Sequence, residues 1–543
     1  MRLRSEQRQR LHGGVAGQLL RLGGPRLLRW VGRLWPPLAH EMDYREWRRA
    51  NTPDAGELAR QRDSSRNWDG GPLVSVLMPV FQPDLPLLAA AIASLDAQTY
   101  PHWELCIAHA EPAGSATADF LSGLPATSPR IRVRRLPRNQ GIAGNTNAAL
   151  ELAGGAFLLL LDQDDLLAPD ALFQLTHPLR AEGELDLVYS DSDLITPWGE
   201  RYQPFFKPGW SPHLLLAGNY VAHATLIRRA LVEALGGMDA DLDGAQDWDL
   251  VLRVVERTNR VAHVPHVLYH WRSVPTSCAS LPDAKPYATG AQRVALERAL
   301  ARRGIRAAPD LEPPGAWRLR PLGEGPSPGA EIACSPDADT QAIDRAARAV
   351  DADLLLFRDS RFRLADGATT GDLTLWAQMA DIGVAGGMVV APGGRIVSAG
   401  LTPDGHGRLV PVFDGCHVHE WTPAGSPLWY RDTLVPPLAG CAVRRTVFER
   451  LGGLDGALPP ATALADFALR CHVAGWHNLC VPFCRYQALH PEFEGSIVAL
   501  PASEADGTTD PYSSPNVASS VARPHLRTRT RVAVGASPSA RKR

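Results

Sequence analysis

The stretch "LLLLDQDDLLAPDAL" (158–172) decides the fold of this chain, because four leucines run directly into Asp162, Asp164 and Asp165. A continuous apolar run of this length predicts a strand that is buried on both faces, as in a parallel sheet. One carboxylate behind such a strand is explained by capping of the helix that follows. Three carboxylates favour a bound cation instead.

Three further apolar segments precede this strand and alternate with helical patterns. The predicted strands cover residues 72–80, 103–110, 131–136 and 156–162. Alternation of apolar strands with helices indicates an α/β fold whose mostly parallel sheet has helices on both faces. Ligands of such sheets bind beyond the carboxyl ends of the strands, which is where Asp162 lies.

The spacing of Asp162 and Asp164 favours a particular kind of cation. In an extended chain, side chains two residues apart project to the same side. Paired carboxylate oxygens are hard ligands that suit Mg²⁺ or Mn²⁺ brought in with a diphosphate. We therefore predict a metal–diphosphate site at this edge of the sheet.

Composition limits the class of protein. The 543 residues suffice for two or three domains, and the formal net charge of −2 gives no general attraction to nucleic acid, so we expect no nucleic-acid partner. The eight cysteines lack a spacing typical of zinc sites, and we expect them to be reduced and buried.

The two ends of the chain differ from the rest. Residues 1–35 contain eight arginines and one acid among leucines and tryptophans, a pattern compatible with an interfacial helix that contacts the membrane or with a disordered basic leader. The far end is rich in Ser, Pro, Thr and Arg, which predicts disorder. No apolar run reaches the roughly 18 residues of a membrane span, so we expect a cytoplasmic protein, or a peripheral one at the inner face of the cytoplasmic membrane.

Six blocks, in order across residues 72–300, resemble the family 2 glycosyltransferases of the GT-A fold, and most closely the bacterial cell-surface polysaccharide and O-antigen enzymes. The blocks are "VSVLMPVFQPDLPLLAAAIASLDAQTYPHWELCIA", "NQGIAGNTNAAL", "LLLDQDDLLAPDAL", "VYSDSDLI", "FFKPGWSPHLLLAGNYV" and "GAQDWDLVLRV" with "HVPHVLYHWR". The resemblance implies a Rossmann-like GT-A domain. It also implies inverting, metal-dependent transfer of a sugar from a nucleotide-diphosphate donor to a hydroxyl of a glycan or lipid-linked glycan acceptor.

The resemblance also implies roles for individual residues. Asp162 and Asp164 match the family's DxD and would bind Mg²⁺ or Mn²⁺ together with His270, whereas Asp247 would be the general base. Asp247 also begins a predicted helix, so a capping role is the alternative. The nucleotide-sugar residues implied by the same blocks are Pro79, Val80, Phe81, Glu111, Asn139, Gly144, Asn147, Asp162 and Arg272. Those implied for the acceptor are Asp191, Asp193 and Trp248, the last with a core position as its alternative.

One position departs from the family pattern. The strand "ELCIA" is usually followed by an Asp that binds the nucleotide base, but this chain reads His109-Ala110-Glu111. We predict either that Glu111 takes over this contact or that recognition of the base differs.

The chain also repeats itself. "RRALVEALGGMD" (228–239) aligns without a gap on "RRTVFERLGGLD" (444–455), and such an internal repeat predicts a second related fold. In this alignment Asp247 faces Leu464, His270 faces Gln487, and "LLDQD" (160–164) faces "LFRDS" (356–360). A shift of one residue in the last match would restore only Asp359. We therefore predict that the second copy does not catalyse metal-dependent transfer.

These observations predict five segments and a ranking of functions. The segments are a basic leader (1–71), a catalytic GT-A domain (72–305), a linker (306–325), a degenerate GT-A-like domain (326–495) and a disordered tail (496–543). A glycosyltransferase is the first interpretation. An inactive glycan-binding or assembly scaffold is the alternative, and a sugar-nucleotide pyrophosphorylase is disfavoured because "VFQPDLP" lacks the Gly- and Arg-rich signature of that class.

Overall fold

The computed structural model describes residues 36–181, 184–273, 286–323, 329–404, 406, 408–490, 498–499, 510–518 and 525–526. The basic stretch 1–35, with its predicted membrane contact, lies outside these residues. No helix within the described ranges is both long and apolar enough to cross a membrane.

The first half of the chain alternates helices and strands as predicted. Its helices are α1 (Pro36–Asn51), α2 (Ala55–Arg66), α3 (Leu85–Asp96), α4 (Ala116–Thr127), α5 (Gly141–Leu150), α6 (Ala171–Thr176), α7 (Arg229–Ala234), α8 (Gln246–Val255) and α9 (Pro286–Arg302). Its strands are β1 (Val74–Val80), β2 (Trp103–His109), β3 (Ile131–Arg135), β4 (Phe157–Leu160), β5 (Leu166–Leu167), β6 (Leu187–Ile195), β7 (Arg201–Phe205), β8 (Thr225–Arg228) and β9 (Val261–Arg272).

These strands form one mixed sheet, which we call the first sheet. Its order is β3-β2-β1-β4-β8-β6-β9-β5, and β7 pairs with β6. The four strands predicted from the apolar segments lie side by side and are parallel, which confirms the predicted α/β fold. Leu158, Leu159 and Leu161 are buried, because helices cover both faces of the sheet at this strand.

The second half of the chain begins with a hairpin of β10 (Ala307–Glu312) and β11 (Ala316–Pro321). Its helices are α10 (Thr340–Ala349), α11 (Gly371–Ala377), α12 (Arg445–Arg450) and α13 (Pro460–Val473). Its further strands are β12 (Ala330–Cys334), β13 (Leu354–Asp359), β14 (Phe362–Leu364), β15 (Ile382–Val390), β16 (Ile396–Ser398), β17 (Leu401–Pro403), β18 (Arg408–Pro411), β19 (Arg431–Thr433), β20 (Gly440–Arg444), β21 (His477–Ala488), β22 (Val498–Ala499), β23 (Val517–Ala518) and β24 (His525–Leu526).

The second sheet repeats the first strand by strand. Its order is β12-β13-β20-β15-β21-β14, which corresponds to β1-β4-β8-β6-β9-β5. Each neighbouring pair also has the same direction in both sheets, parallel for β12 with β13 and for β15 with β21, antiparallel for the others. The second copy therefore keeps the central sheet and has no counterpart of β2 and β3 among the described residues.

One part of the predicted disordered tail is ordered against both sheets. The Asn516 amide donates hydrogen bonds to Asp191 Oδ2 (3.2 Å) and to the carbonyl of Pro265 (2.8 Å) in the first sheet. Tyr512 is buried, with its hydroxyl 3.3 Å from Nδ1 of His477 in the second sheet. Composition did not indicate this because the contacts are polar and join residues that are distant in sequence.

Candidate active site

The carboxylates behind β4 lie on a turn. The Asp165 N–H donates to the carbonyl of Asp162 at 3.3 Å, so residues 162–165 reverse direction and the predicted extended spacing of Asp162 and Asp164 is wrong. Asp162 is 43% exposed, whereas Asp165 is buried. All three carboxylates therefore come together through a turn of the backbone, and not through the side-chain alternation of an extended strand.

Strand β9 holds the buried member of this group. Asp165 accepts hydrogen bonds from the Tyr269 hydroxyl (2.8 Å) and from the backbone N–H of Arg272 (2.6 Å). Burial raises the pKa of Asp165 well above its ordinary value, and the charges of Asp162 and Asp164 raise it further. The three carboxyl groups of this turn are therefore close enough for their charges to disfavour one another.

The closeness of these carboxyl groups decides whether the residues fit a divalent cation. Carboxylates that repel one another, with Asp162 open to solvent, form a hard oxygen donor set of the kind that Mg²⁺ and Mn²⁺ prefer. A cation bound there would relieve the repulsion. The donor set therefore fits the predicted metal.

His223 connects the carboxylate turn to Asp247. Its Nε2 lies 4.0 Å from Asp162 Oδ2, and its ring stacks on Tyr269 with centroids 5.0 Å apart. Burial lowers the pKa of His223 to about 4, so its imidazole is neutral near pH 7. The buried Lys207 side chain donates a hydrogen bond from Nζ to the carbonyl of His223 at 2.8 Å.

Asp247 lies in the first turn of α8 and faces this same group. Burial raises its pKa above the ordinary value, the neighbouring His223 lowers it, and Asp162 raises it. The Asn219 amide donates to Asp247 Oδ2 at 2.9 Å and fixes the carboxylate. Asp162 and Asp247, which are distant in sequence, thus act electrostatically on each other across one small site.

His270 is buried beside an acidic partner. Its Nδ1 lies 2.6 Å from Asp193 Oδ1, and burial lowers the pKa of His270 more than Asp193 raises it. Asp193 also accepts from Arg201 (2.6 Å) and from the hydroxyl of Tyr44, which is in α1. The N-terminal helix thus contributes to the environment of His270.

Arg272, predicted to contact phosphate, is also buried. Its Nε donates to the carbonyl of Asp164 at 2.7 Å. The side chain therefore braces the carboxylate turn in this structure.

The loop after β1 is tied to the carboxylate turn. The Gln163 amide makes two hydrogen bonds to Phe81, accepting from its N–H (2.9 Å) and donating to its carbonyl (3.1 Å). Glu111 accepts from the N–H of Gln82 at 2.5 Å and is buried. Glu111 thus supports this loop, which follows Pro79 and Val80 at the end of β1. The predicted contact of Glu111 with a base stays a prediction.

The predicted nucleotide-binding residues of α5 have mainly structural contacts. Asn139 Oδ1 accepts from the N–H of Gly141 (3.2 Å) and from Asn145 (2.9 Å), which shapes the start of the helix. A side chain at Gly144 would come within 2.6 Å of Gln140, so close packing requires the glycine.

The prediction that Asn147 contacts the nucleotide-sugar is corrected. Its amide exchanges two 2.8 Å hydrogen bonds with the backbone of Met238, which leaves the side chain committed to holding the chain before α8.

The three predicted acceptor residues lie beneath the surface, which corrects that assignment. The side chain of Asp191 is fully buried. It accepts hydrogen bonds from the backbone N–H of Lys207 and from Nε2 of His263, both at 2.8 Å. Asp193 is equally buried beside His270. Trp248 is 3% exposed and donates from Nε1 to the carbonyl of Leu215 (3.0 Å), so the core alternative is right.

Sequence reasoning missed Asn219 and His223. Asn219 lies in the quoted block "LLLAGNYV" and His223 lies two residues after it, but neither has a spacing that indicates chemistry. Their place depends on how the loop before β8 folds over Lys207, and only tertiary structure shows that. The signal available in the sequence was the presence of polar residues in an otherwise apolar segment.

The second sheet gives an internal comparison of the same positions. Phe157 pairs with Arg228 in the first sheet, and Leu354 pairs with Arg444 in the second, which fixes the correspondence along β4 and β13. Asp359 therefore corresponds to Asp162, and the predicted match of 160–164 with 356–360 was off by one residue.

The remaining polar positions of the site are replaced in the second copy. Arg361 stands where the first copy has Asp164, and its guanidinium binds Asp359 at 2.7 Å. Arg363 pairs with Gln487 as Leu166 pairs with His270, so Gln487 takes the place of His270.

Two arginines show that Leu464 replaces Asp247. Arg253 donates to Asp249 and to the carbonyls of Leu235 and Gly237. Arg470 makes the same three contacts, to Asp466 and to the carbonyls of Leu451 and Gly453. Asp249 of α8 therefore corresponds to Asp466 of α13. Two residues earlier, Asp247 corresponds to Leu464.

Comparison with known proteins finds relatives that match most of this chain. The O-antigen biosynthesis protein RfbC of Myxococcus xanthus is 28% identical over 497 residues, covering 81% of this chain and 39% of that protein. A Sinorhizobium fredii protein, "Uncharacterized protein y4gI", is 30% identical over 517 residues, covering 82% of this chain and 56% of its own length. The chain thus spans about half or less of the length of these curated relatives.

A solved structure and a family profile complete the comparison. The structure of S. aureus TarS 1–349 in complex with UDP-GlcNAc is 16% identical, covers 41% of this chain and 65% of that one, and has a TM-score of 0.34. The profile of Glycosyl transferase family 2 matches residues 75–236, from β1 through the carboxylate turn to α7. The predicted resemblance to family 2 glycosyltransferases is confirmed by this match over residues 75–236.

Proposed function

We propose that the protein is an inverting, metal-dependent glycosyltransferase that moves a sugar from a nucleotide-diphosphate donor to a hydroxyl of a growing cell-surface glycan. The observation that carries this proposal is the meeting of Asp162, His223 and Asp247 in one site behind the carboxyl end of β4. A site with an open carboxylate group on one side and a fixed, buried carboxylate on the other suits displacement at a sugar carbon.

Asp247 is the proposed general base. Inversion requires a group that takes the proton of the acceptor hydroxyl as its oxygen bonds to the anomeric carbon, while the bond from that carbon to the diphosphate breaks. Burial raises the pKa of Asp247 toward the range in which a carboxylate is an effective base, and Asn219 holds it in place. The helix start at Gln246 favours the charged, unprotonated form in which Asp247 can accept this proton.

Asp162 and Asp164 are the proposed ligands of Mg²⁺ or Mn²⁺, with His270 as the third. The bound ion would supply positive charge to the departing diphosphate. His270 has its Nδ1 on Asp193, an arrangement that fixes ring orientation in histidines that ligate metals through the other nitrogen. Asp193 is therefore proposed as a positioning residue for His270.

The proposed donor site lies against Pro79, Val80 and the half-exposed Phe81, which the Gln163 amide joins to the carboxylate turn. The proposed acceptor is a glycan or a lipid-linked glycan. Support comes from the relative named as an O-antigen biosynthesis protein and from an Escherichia coli relative, 27% identical over 123 residues, whose printed name is a glucosyltransferase acting on a diphosphoundecaprenol-linked sugar.

The two sheets support a division of the chain into domains. We propose a catalytic domain at 72–305, a linker at 306–325 and a second, non-catalytic GT-A-like domain at 326–495 that supports the first. The alternative of an inactive scaffold is disfavoured by the intact polar set around Asp162 and Asp247 in the first copy.

The test is release of nucleoside diphosphate from a panel of UDP-, dTDP- and GDP-sugars with Mn²⁺ or Mg²⁺. Wild type is compared with Asp164→Ala. We expect metal-dependent turnover of one donor class in wild type and its loss in the variant. Folded wild-type protein that binds no donor in the presence of metal would favour the scaffold.

A further inference from the structure

A second group of metal-ligating side chains, which shares no residue with the carboxylate turn, lies where the two halves of the chain meet. It consists of His213, which precedes β8 in the first half of the chain, and of Asp432 and His477 in strands β19 and β21. One nitrogen of each imidazole and one carboxylate oxygen lie within 4.8 Å of one another. His213 and Asp432 are buried, and His477 is half-buried.

The two imidazoles converge on a single oxygen. Nδ1 of His213 lies 2.7 Å from Asp432 Oδ1, and Nδ1 of His477 lies 3.0 Å from the same atom. The other oxygen of Asp432 is buried and has no hydrogen-bond partner among the described residues. An unpaired buried carboxylate oxygen is costly, and a coordinated cation would remove that cost.

The surroundings resemble the outer layer of a metal site. Nε2 of His213 lies 3.1 Å from Asp381 Oδ2, so the ring can donate its second N–H to a carboxylate while the first nitrogen is a ligand. The hydroxyl of Tyr512, from the ordered part of the tail, lies 3.3 Å from His477 Nδ1 and closes the group on one side.

We propose that His213, Asp432 and His477 bind one zinc ion that fastens the second sheet to the first. Two imidazole nitrogens and one carboxylate are a donor set that zinc accepts, with water or the Tyr512 hydroxyl completing four-coordination. The site is separate from the proposed donor-site metal, and neither proposal depends on the other. Its role is structural, because it joins His213 of the first half of the chain to two strands of the second half.

The competing arrangement is a metal-free ion pair. Burial lowers the pKa of His213, but Asp432 and Asp381 outweigh it and raise the pKa to about 9. A protonated His213 could then bridge both carboxylates without a metal. Zinc binding would instead displace that proton, so metal content separates the two arrangements.

The experiment is elemental analysis of the full chain, purified without a metal-affinity tag and dialysed against a weak chelator. We expect one zinc per chain in wild type, retained in Asp164→Ala because that variant alters only the other site. His477→Ala should lose the zinc, and His477→Cys should restore it because a thiolate is a good zinc ligand. His263→Gln is the matched control, since it breaks a buried histidine–carboxylate pair of 2.8 Å that has only one imidazole, and it should keep the zinc.

Thermal unfolding gives a second readout, which does not need a known substrate. Stripping wild type with a strong chelator should lower its Tm by several degrees, and stoichiometric Zn²⁺ should restore it. Wild-type protein that carries no zinc and whose Tm does not change with added Zn²⁺ would overturn the proposal, whatever the variants do. Another tightly bound metal in place of zinc would overturn the assignment of the ion.

Discussion

Arg361 binds the Asp359 carboxylate at 2.7 Å in the second sheet, at the position where the first sheet has Asp164 beside Asp162. The duplication has therefore kept one carboxylate of the pair and neutralised it with the residue that replaced the other. An arginine in this place excludes a divalent cation, because it supplies the positive charge itself.

This relationship gives a matched pair of variants. Asp162→Asn should reduce metal-dependent donor turnover by about 100-fold or more, because it removes a ligand of the ion that stabilises the leaving diphosphate. Asp359→Asn, at the corresponding place in the second sheet, should leave turnover within about twofold, since Asp359 is already paired with Arg361 and we propose no metal or catalytic role for it. Steady-state rates of the two purified variants check this. Equal losses in both would mean that the second copy takes part in catalysis.

Asn219→Ala tests how Asp247 is held. The Asn219 amide donates to the Asp247 carboxylate, and such a bond favours the charged form of the acid. Its loss should raise the pKa of Asp247 further and move the acidic limb of the kcat/KM profile to higher pH, because the base must be unprotonated. We also expect about a 10-fold loss of kcat at neutral pH, with an unchanged KM for the donor. A lower rate without a shifted profile would contradict the role in positioning.

The N-terminal helix should contribute to stability through Tyr44. Its hydroxyl donates to the buried carboxylate of Asp193, and its ring packs between Trp47 and Phe206. Tyr44→Phe keeps the ring and should lower the free energy of unfolding by about 2 kcal/mol, because a buried carboxylate loses a donor. Urea denaturation measures this, and Tyr287→Phe at an exposed position should change it little. Equal stability of Tyr44→Phe and wild type would contradict the contact.

The buried side chain of Lys207 should make the free energy of unfolding depend on pH. Burial lowers its pKa from the ordinary 10.5 to about 7, so between these values the unfolded chain holds a proton that the folded chain lacks. The contribution of Lys207 to stability therefore rises with pH across this range, by up to about 1.4 kcal/mol per pH unit. Lys207→Met should remove this rise, which urea titrations at pH 7, 8 and 9 measure. Parallel curves for the two proteins would show that the ammonium is not desolvated.

Much of the fold could be predicted because local patterns determine it. The run Leu158–Leu161 has no face for water, and that alone indicates a covered strand. The gapless repeat at 228–239 and 444–455 predicted the second sheet, and the equivalent contacts of Arg253 and Arg470 confirm the register at its anchor. Away from the anchor the alignment slipped by one residue, since short apolar strands offer no distinctive positions.

The site was harder to predict because its geometry is tertiary. Residue type alone did not reveal that the side chains of Asn147 and Trp248 donate hydrogen bonds to the backbone carbonyls of Met238 and Leu215. Nor did spacing indicate that His223 would lie between Asp162 and Asp247, since a buried lysine behind the loop places it there.

The central claim is that Asp247 removes the acceptor proton. The most direct test is Asp247→Asn, with donor affinity measured by calorimetry and turnover measured by nucleoside diphosphate release in the presence of metal. The account predicts donor affinity close to that of wild type, because the carboxylate turn is untouched, and turnover lower by about 100-fold or more. Turnover equal to that of wild type in a folded Asp247→Asn variant would contradict it.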